Sequence, residues 1–212
     1  MEKFLIVDDH PVVLDGLRLI LGDLLPNVEF ITANSGEMAL ELVDQYHDPA
    51  WVFMDVNLPD ADGIELLEKL ENKKVTAYFV VLSSDSSPAI ANRALNQGAS
   101  GFLSKSFDRS ELQNCIRTIQ NGRIYLKPEL QRELNNYRQN ALVEKQHIET
   151  CLTERQRQTL LYLAQGYSNR EIADSFKVTE STVKSHVQAL MTLFEADNRT
   201  HCVSEAGRLN II

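Results

Sequence analysis

Carboxylates stand at two places where an apolar run stops. Asp8 and Asp9 follow Phe4-Leu5-Ile6-Val7, and Asp55 follows Trp51-Val52-Phe53-Met54. A lone aspartate after such a run reads as a turn residue or a helix cap. A second run with the same ending brings the acids together if the two runs are neighbouring strands. Crowded carboxylates raise the cost of ionising one another, and such a cluster persists when a cation occupies it. Ligands that are all oxygens favour a hard ion, Mg2+ or Ca2+. A third run, Tyr78-Phe79-Val80-Val81-Leu82, ends on Ser83, and a fourth, Gly101-Phe102-Leu103, leads to Lys105. Acids, a hydroxyl and a lysine at strand ends make a set suited to handling a phosphoryl group. His10, beside the acids, reads as a loop residue at the rim rather than as a ligand.

The elements that must position this set alternate between two periods. Pro11 suits the first turn of a helix whose stripe is Val13, Leu14, Leu17, Leu21 and Leu24. Residues 28–32 read as a strand, followed by a helix lined by Ala39, Leu40 and Val43. Gly63 allows a close approach beside Asp55 and precedes Ile64, Leu67 and Leu70 on a third helix. Ser87-Pro88 opens a fourth helix, with serine as the cap. Asp108-Arg109-Ser110-Glu111 opens a fifth, which buries Leu112, Cys115, Ile116 and Ile119. Strand and helix alternate five times, which predicts a five-stranded parallel, doubly wound (flavodoxin-like) sheet. In such sheets ligands bind at the carboxyl ends of the strands, where the acids fall.

The ordered set Asp8-Asp9, Asp55, Ser83 and Lys105 resembles the receiver domain of two-component response regulators. Leu58-Pro59-Asp60-Ala61-Asp62-Gly63 after Asp55, and Gly98-Ala99-Ser100-Gly101-Phe102 before Lys105, extend the resemblance over residues 1–125. The resemblance implies that Asp55 accepts a phosphoryl group from a sensor histidine kinase. It also implies Mg2+ held by Asp9, Asp55 and the backbone carbonyl of Asn57, with Asp8 acting mainly through water. Lys105 would pair with the phosphoryl oxygens, Ser83 would move to bond them, and Phe102 would turn inward into the space left. Ser106 follows Lys105 where many receivers carry proline, so no cis bond is expected there.

Composition is consistent with this. The 212 residues suit one or two domains. No apolar run approaches the roughly 20 residues needed to span a bilayer, and Met1-Glu2-Lys3 leads straight into a strand without a visible signal peptide. Cys115, Cys151 and Cys202 are widely spaced and read as reduced thiols of a cytoplasmic protein. Residues 1–125 hold 10 Lys+Arg against 19 Asp+Glu, which accounts for the net charge of −9. That acidity argues against nucleic acid in the first half. Residues 150–212 hold 7 charges of each sign and are neutral.

Residues 126–149 form a polar segment whose low Pro and Gly content favours a helical linker over a floppy one, and a charged helix packing on nothing fits the sequence equally. Beyond it the period is purely helical. Thr153-Glu154-Arg155-Gln156 and Ser168-Asn169-Arg170-Glu171 are capping boxes. The first helix carries Leu160, Leu161 and Ala164 inward, and the second Ile172, Ala173 and Phe176. Thr179 caps a longer helix striped by Val183, Val187, Leu190, Met191 and Phe194. Two helices joined by a short turn match a helix-turn-helix within a small all-α domain of about four helices. Leu152-Thr153, Gly166, Ser168-Asn169-Arg170-Glu171-Ile172-Ala173, Thr182-Val183-Lys184-Ser185-His186-Val187 and Asn198-Arg199-Thr200 resemble the LuxR-type DNA-binding domain over about residues 150–206, within a domain of residues 150–212. With a receiver ahead of it, the whole chain resembles the NarL/FixJ regulators.

That resemblance implies Lys184, Ser185 and Gln188 at base edges, Thr182 and Arg199 at phosphates, and His186 packed within the helix. It implies double-stranded DNA with an inverted-repeat promoter site as partner, a homodimer when phosphorylated, RNA polymerase as a further compatible partner, and no turnover of an external substrate. The chain departs from the family at Gln156 (usually Glu), Thr192 (usually basic) and Glu195 (usually Gly). The last two weaken phosphate attraction. A rival reading is a receiver that works by protein–protein contact beside a weak or vestigial DNA-binding domain. A Mg2+-dependent phosphohydrolase is disfavoured because Asn57, not an acid, stands two residues after Asp55.

Overall fold

A computed structural model describes residues 2–46 and 49–212; Met1, His47 and Asp48 lie outside the described residues. The chain forms two compact units, the first ending at Asn135 and the second starting at Asn136.

The first unit alternates β1 (Glu2–Val7), α1 (Pro11–Leu24), β2 (Val28–Ala33), α2 (Gly36–Tyr46), β3 (Trp51–Asp55), α3 (Gly63–Asn72), β4 (Tyr78–Ser83), α4 (Pro88–Asn96), β5 (Gly101–Ser104) and α5 (Arg109–Gln120). The five strands are parallel in the order β2-β1-β3-β4-β5. The order reverses at β1, so the crevice outside the carboxyl ends of β1 and β3 is the switch point where ligands bind in such sheets. Val7 pairs with Met54, which sets Asp8 and Asp55 level with each other.

Alternation divides the strand residues between the two faces. Phe4, Ile6, Phe53, Val80 and Leu82 join Leu17, Leu21, Leu112, Cys115, Ile116 and Ile119 in one core under α1 and α5. Within it the Phe4 and Trp51 rings stack at 5.7 Å. The intervening Leu5, Val7, Val52, Met54 and Val81 are equally buried and face α2, α3 and α4. The Asp62 and Asp108 side chains cap α3 and α5. Ser87 holds the cap position of α4 as expected but makes no side-chain capping bond. Beyond α5, Tyr125 runs beside β5: its carbonyl accepts from Phe102 N and its N–H donates to Ser100 O, both at 3.0 Å.

The helix α6 (Pro128–Cys151) has 24 residues. It starts two residues later and ends two residues beyond the expected 126–149 segment, and of the two readings the sequence leaves open it is the packed one. Leu130, Leu134 and Ile148 are buried, the last of them in the core of the second unit.

That second unit adds α7 (Glu154–Ala164), α8 (Asn169–Phe176), α9 (Glu180–Leu193) and α10 (Arg199–Arg208). Both capping boxes form, and Gln156 fills the role of the usual glutamate in the first. The inward face of α7 is Thr159, Leu160 and Leu163, whereas Leu161 and Ala164, expected inside, are exposed. Arg208 bonds Glu205 at 2.6 Å and Glu144 at 2.7 Å, tying α10 to α6. Among the described residues no helix is long and apolar enough to cross a membrane.

Candidate functional site

The acids meet as the strand register requires. Asp8, Asp55 and Ser83 are fully buried, and Asp9 opens to solvent. One atom from each of Asp8, Asp9, His10 and Asp55 lies within 4.8 Å of the others. The Lys105 ammonium stands 2.7 Å from Asp8 Oδ2 and 2.7 Å from Asp55 Oδ2. Lys105 therefore bridges the two buried acids, and the Asn57 backbone N–H also approaches the Asp55 carboxylate. Burial pushes the Asp55 carboxyl above its ordinary range, against the opposing pull of Lys105 and the Asn57 backbone. Burial would lower Lys105, but Asp55 and Asp8 together raise it.

Asp8 is already engaged on both oxygens, because Oδ1 accepts from His10 N at 2.9 Å. His10 lies at the rim, 64% exposed, yet its Nδ1 is 2.7 Å from Asp9 Oδ1, so it belongs with the acids. Ser83 Oγ accepts from Asp85 N at 3.1 Å, which leaves its own proton free to donate. Phe102, expected to turn inward on phosphorylation, is inward already at 1% exposure. All peptide bonds among the described residues are trans, including the one before Ser106.

Asn57 sits in a tight hairpin after Asp55. Asn57 bridges Asp62, Leu58 N donates to Ala61 O, and Gly63 N donates to Val56 O at 2.8 Å. A Cβ on Gly63 would lie 1.9 Å from the Asp55 carbonyl oxygen, so only glycine lets α3 start so close to the acid. A buried carboxylate with ligand atoms of two more acids within 4.8 Å fits a hard divalent cation. Two side chains escaped the sequence reading. Asp60, at the hairpin tip, accepts from the N–H groups of Gly36 and Glu37 at 2.8 and 2.9 Å. Arg93 of α4 bonds Asp62 at 2.8 Å. An acid in a turn signals some local bond, but not one made 24 residues away.

In the second unit Lys184, Ser185 and Gln188 are exposed on α9, while Val183, Val187 and Leu190 are buried on its other side. Lys184 Nζ is 3.0 Å from Glu180 Oε1. Ser185 Oγ donates to Ser181 O, and Thr182 Oγ1 lies 2.8 Å from Thr179 Oγ1. Arg199 donates one N–H to Tyr167 O at 2.6 Å. His186 is half-buried. Glu195, where glycine is usual, has φ 49°, the left-handed region that glycine favours.

A buried aspartate at the end of the central β3 strand, faced by acids and a lysine, followed in the chain by a helix-turn-helix, defines a response regulator. The chain belongs to that family. The response regulator receiver domain matches residues 4–117, and the bacterial regulatory proteins of the luxR family match residues 150–206. It is 30% identical to a glycerol metabolism activator of Pseudomonas putida, over 99% of this chain and 97% of that protein. It is also 30% identical to the nitrate/nitrite response regulator protein NarL of Escherichia coli (strain K12), covering 92% and 90% of the two chains. Among solved structures it resembles a LuxR-family two-component response regulator from Aurantimonas, with a TM-score of 0.58 and 30% identity over 64% of this chain and 96% of the other. The protein is therefore a DNA-binding transcriptional regulator of a two-component system, its receiver the partner of a sensor kinase.

Proposed function

We propose that Asp55 is the phosphoacceptor and that Asp9, Asp55 and the Asn57 carbonyl hold Mg2+, with Asp8 in support. The observation that carries this reading is the buried Asp55 carboxyl at the switch point of the sheet, with Asp8 and Asp9 ligand atoms within 4.8 Å and the Lys105 ammonium at 2.7 Å. The ion supplies charge neutralisation where a carboxylate meets a phosphoryl group. An Asp55 oxygen forms the new bond to phosphorus as the bond to the kinase histidine nitrogen breaks. Lys105 holds the acceptor beforehand and can follow the charge to the phosphoryl oxygens. Ser83 donates a hydrogen bond through its free hydroxyl proton to the same group. With Phe102 already inward, the change open to the switch lies in Ser83 and the 84–87 loop rather than in the ring.

The phosphorylated protein dimerises and binds an inverted-repeat promoter site in double-stranded DNA. Lys184, Ser185 and Gln188 read bases, while Thr182 and Arg199 bind phosphates; contact with RNA polymerase follows at the promoter. It works in the cytoplasm, as its free thiols suit, and turns over no external substrate. Incubation with acetyl phosphate and Mg2+ should label the parent on Asp55, leave Asp55→Asn unlabelled, and raise the affinity for an inverted repeat only in the parent. Label of equal yield on the Asn variant would refute the acceptor. A parent that is labelled but shifts no DNA would favour action through protein contact.

A further inference from the structure

Asp60 makes a contact that the phosphotransfer chemistry does not use. It lies at the tip of the 57–62 hairpin, and both carboxylate oxygens accept backbone N–H groups from the first residues of α2. An acid placed there also meets the positive end of the helix, and the two bonds hold the Asp60 carboxyl below its ordinary range. The fit is close on both sides. Gly36 is buried, and a Cβ there would come within 3.1 Å of Ala61 Cβ. The hairpin is narrow, closed at its base by the Gly63–Val56 bond and across its middle by the Leu58–Ala61 bond. A hairpin fixed at both base and tip has little freedom for the residue between them, and that residue is Asn57.

We infer that Asp60 is a positioning residue for the cation: by pinning the hairpin tip to α2 it aims the Asn57 carbonyl into the acidic crevice. This rests on the reading of that crevice as the Mg2+ site. Groups that orient metal ligands without touching the ion typically change affinity by about 10–100-fold, and a group acting through one backbone segment belongs at the lower end. Asp60→Ala in the full chain should therefore bind Mg2+ about tenfold more weakly by titration calorimetry. The Mg2+ concentration giving half-maximal acetyl-phosphate labelling should rise by the same factor, with the rate at saturating Mg2+ unchanged. A general structural defect would instead lower the saturating rate. Asp60→Asn keeps one acceptor and should fall between parent and Ala, which preserves the test if the Ala variant folds poorly.

Amide hydrogen exchange at Gly36 and Glu37 reports whether the pin is released. If those amides exchange faster in either variant while Mg2+ affinity stays within twofold of the parent, the inference is overturned. Asp9→Asn separates it from the reading beneath: unchanged Mg2+ affinity in that variant overturns the cation site itself. Lost affinity in Asp9→Asn with none lost in Asp60→Ala overturns only the role of Asp60.

Discussion

Replacing Gly63 by Ala adds one methyl group at the most confined glycine around the acceptor. The new carbon would stand 1.9 Å from the Asp55 carbonyl oxygen and 2.9 Å from its carbonyl carbon. Carbon–oxygen contacts settle near 3.3 Å, so the start of α3 and the Asp55 backbone must separate by roughly 1 Å or more. Overpacking of this kind costs about 1–3 kcal/mol, which the receiver can absorb and remain folded. The chemistry is less tolerant, because a misplacement of about 1 Å costs on the order of 100-fold in rate. Labelling by acetyl phosphate at fixed, saturating Mg2+ should fall by about that factor, with circular dichroism confirming the fold. Gly16→Ala is the matched control. Nothing lies within 4 Å of its added carbon, it sits inside α1, and alanine there should stabilise by about 0.5–1 kcal/mol without changing the rate. A Gly63→Ala protein labelled within threefold of the parent would refute the claim that the Asp55 backbone is fixed by α3.

Asp55→Asn should melt higher than the parent at pH 7. The folded state raises the Asp55 pKa above the ordinary 3.8, so folding favours its protonated form; that contribution is present below 3.8 and is lost as pH rises through the folded pKa. The advantage of Asn should accordingly shrink on acidification and vanish below the ordinary value, and a pH-independent gain would contradict it. Glu195→Gly should stabilise the second unit by about 0.5–1 kcal/mol, a left-handed cost of about 1–2 kcal/mol less the entropy of a freer unfolded chain. By removing an anion it should also tighten binding to all DNA sequences, and equal melting temperatures would argue against strain at that position. Lys184→Ala should relax preference at one base per half-site, since such contacts discriminate by about 1–3 kcal/mol, whereas Arg199→Ala should weaken all sequences alike. Selection from a randomised site library at fixed salt distinguishes the two, and an unaltered sequence preference in Lys184→Ala would misplace α9.

The crevice was legible because each strand announces its end: an apolar run stops on a charge, and parallel register then brings Asp8, Asp55 and Lys105 together. Where apolar residues crowd, the phase was lost. In α7 the run Leu160-Leu161-Tyr162-Leu163-Ala164 suits several helical faces, and only the packed neighbours select Leu160 and Leu163. The burial of α6 residues depends likewise on what lies against them, which local polarity conceals. The loss of glycine at Glu195 was visible in the sequence, and the backbone angle gives it a physical meaning. The Phe102 ring and the reach of Asp60 are tertiary facts; no local pattern encodes a hydrogen bond between residues 60 and 36.

Tyr125 has a practical consequence for anyone dividing this protein. Sheets expose unpaired N–H and C=O groups along their outer strands, and such edges recruit other chains into aggregates. Here β5 is an outer strand, and the chain leaving α5 covers it with the paired bonds of Tyr125 to Phe102 and Ser100. The opposite outer strand, β2, carries a charged residue, Glu29, as its guard. A receiver cut at the end of α5 would keep every residue of the acidic crevice, yet it would strip the cover from β5 and leave a short apolar edge open to self-association. Solubility, rather than phosphoryl chemistry, would then mark where this half of the protein ends.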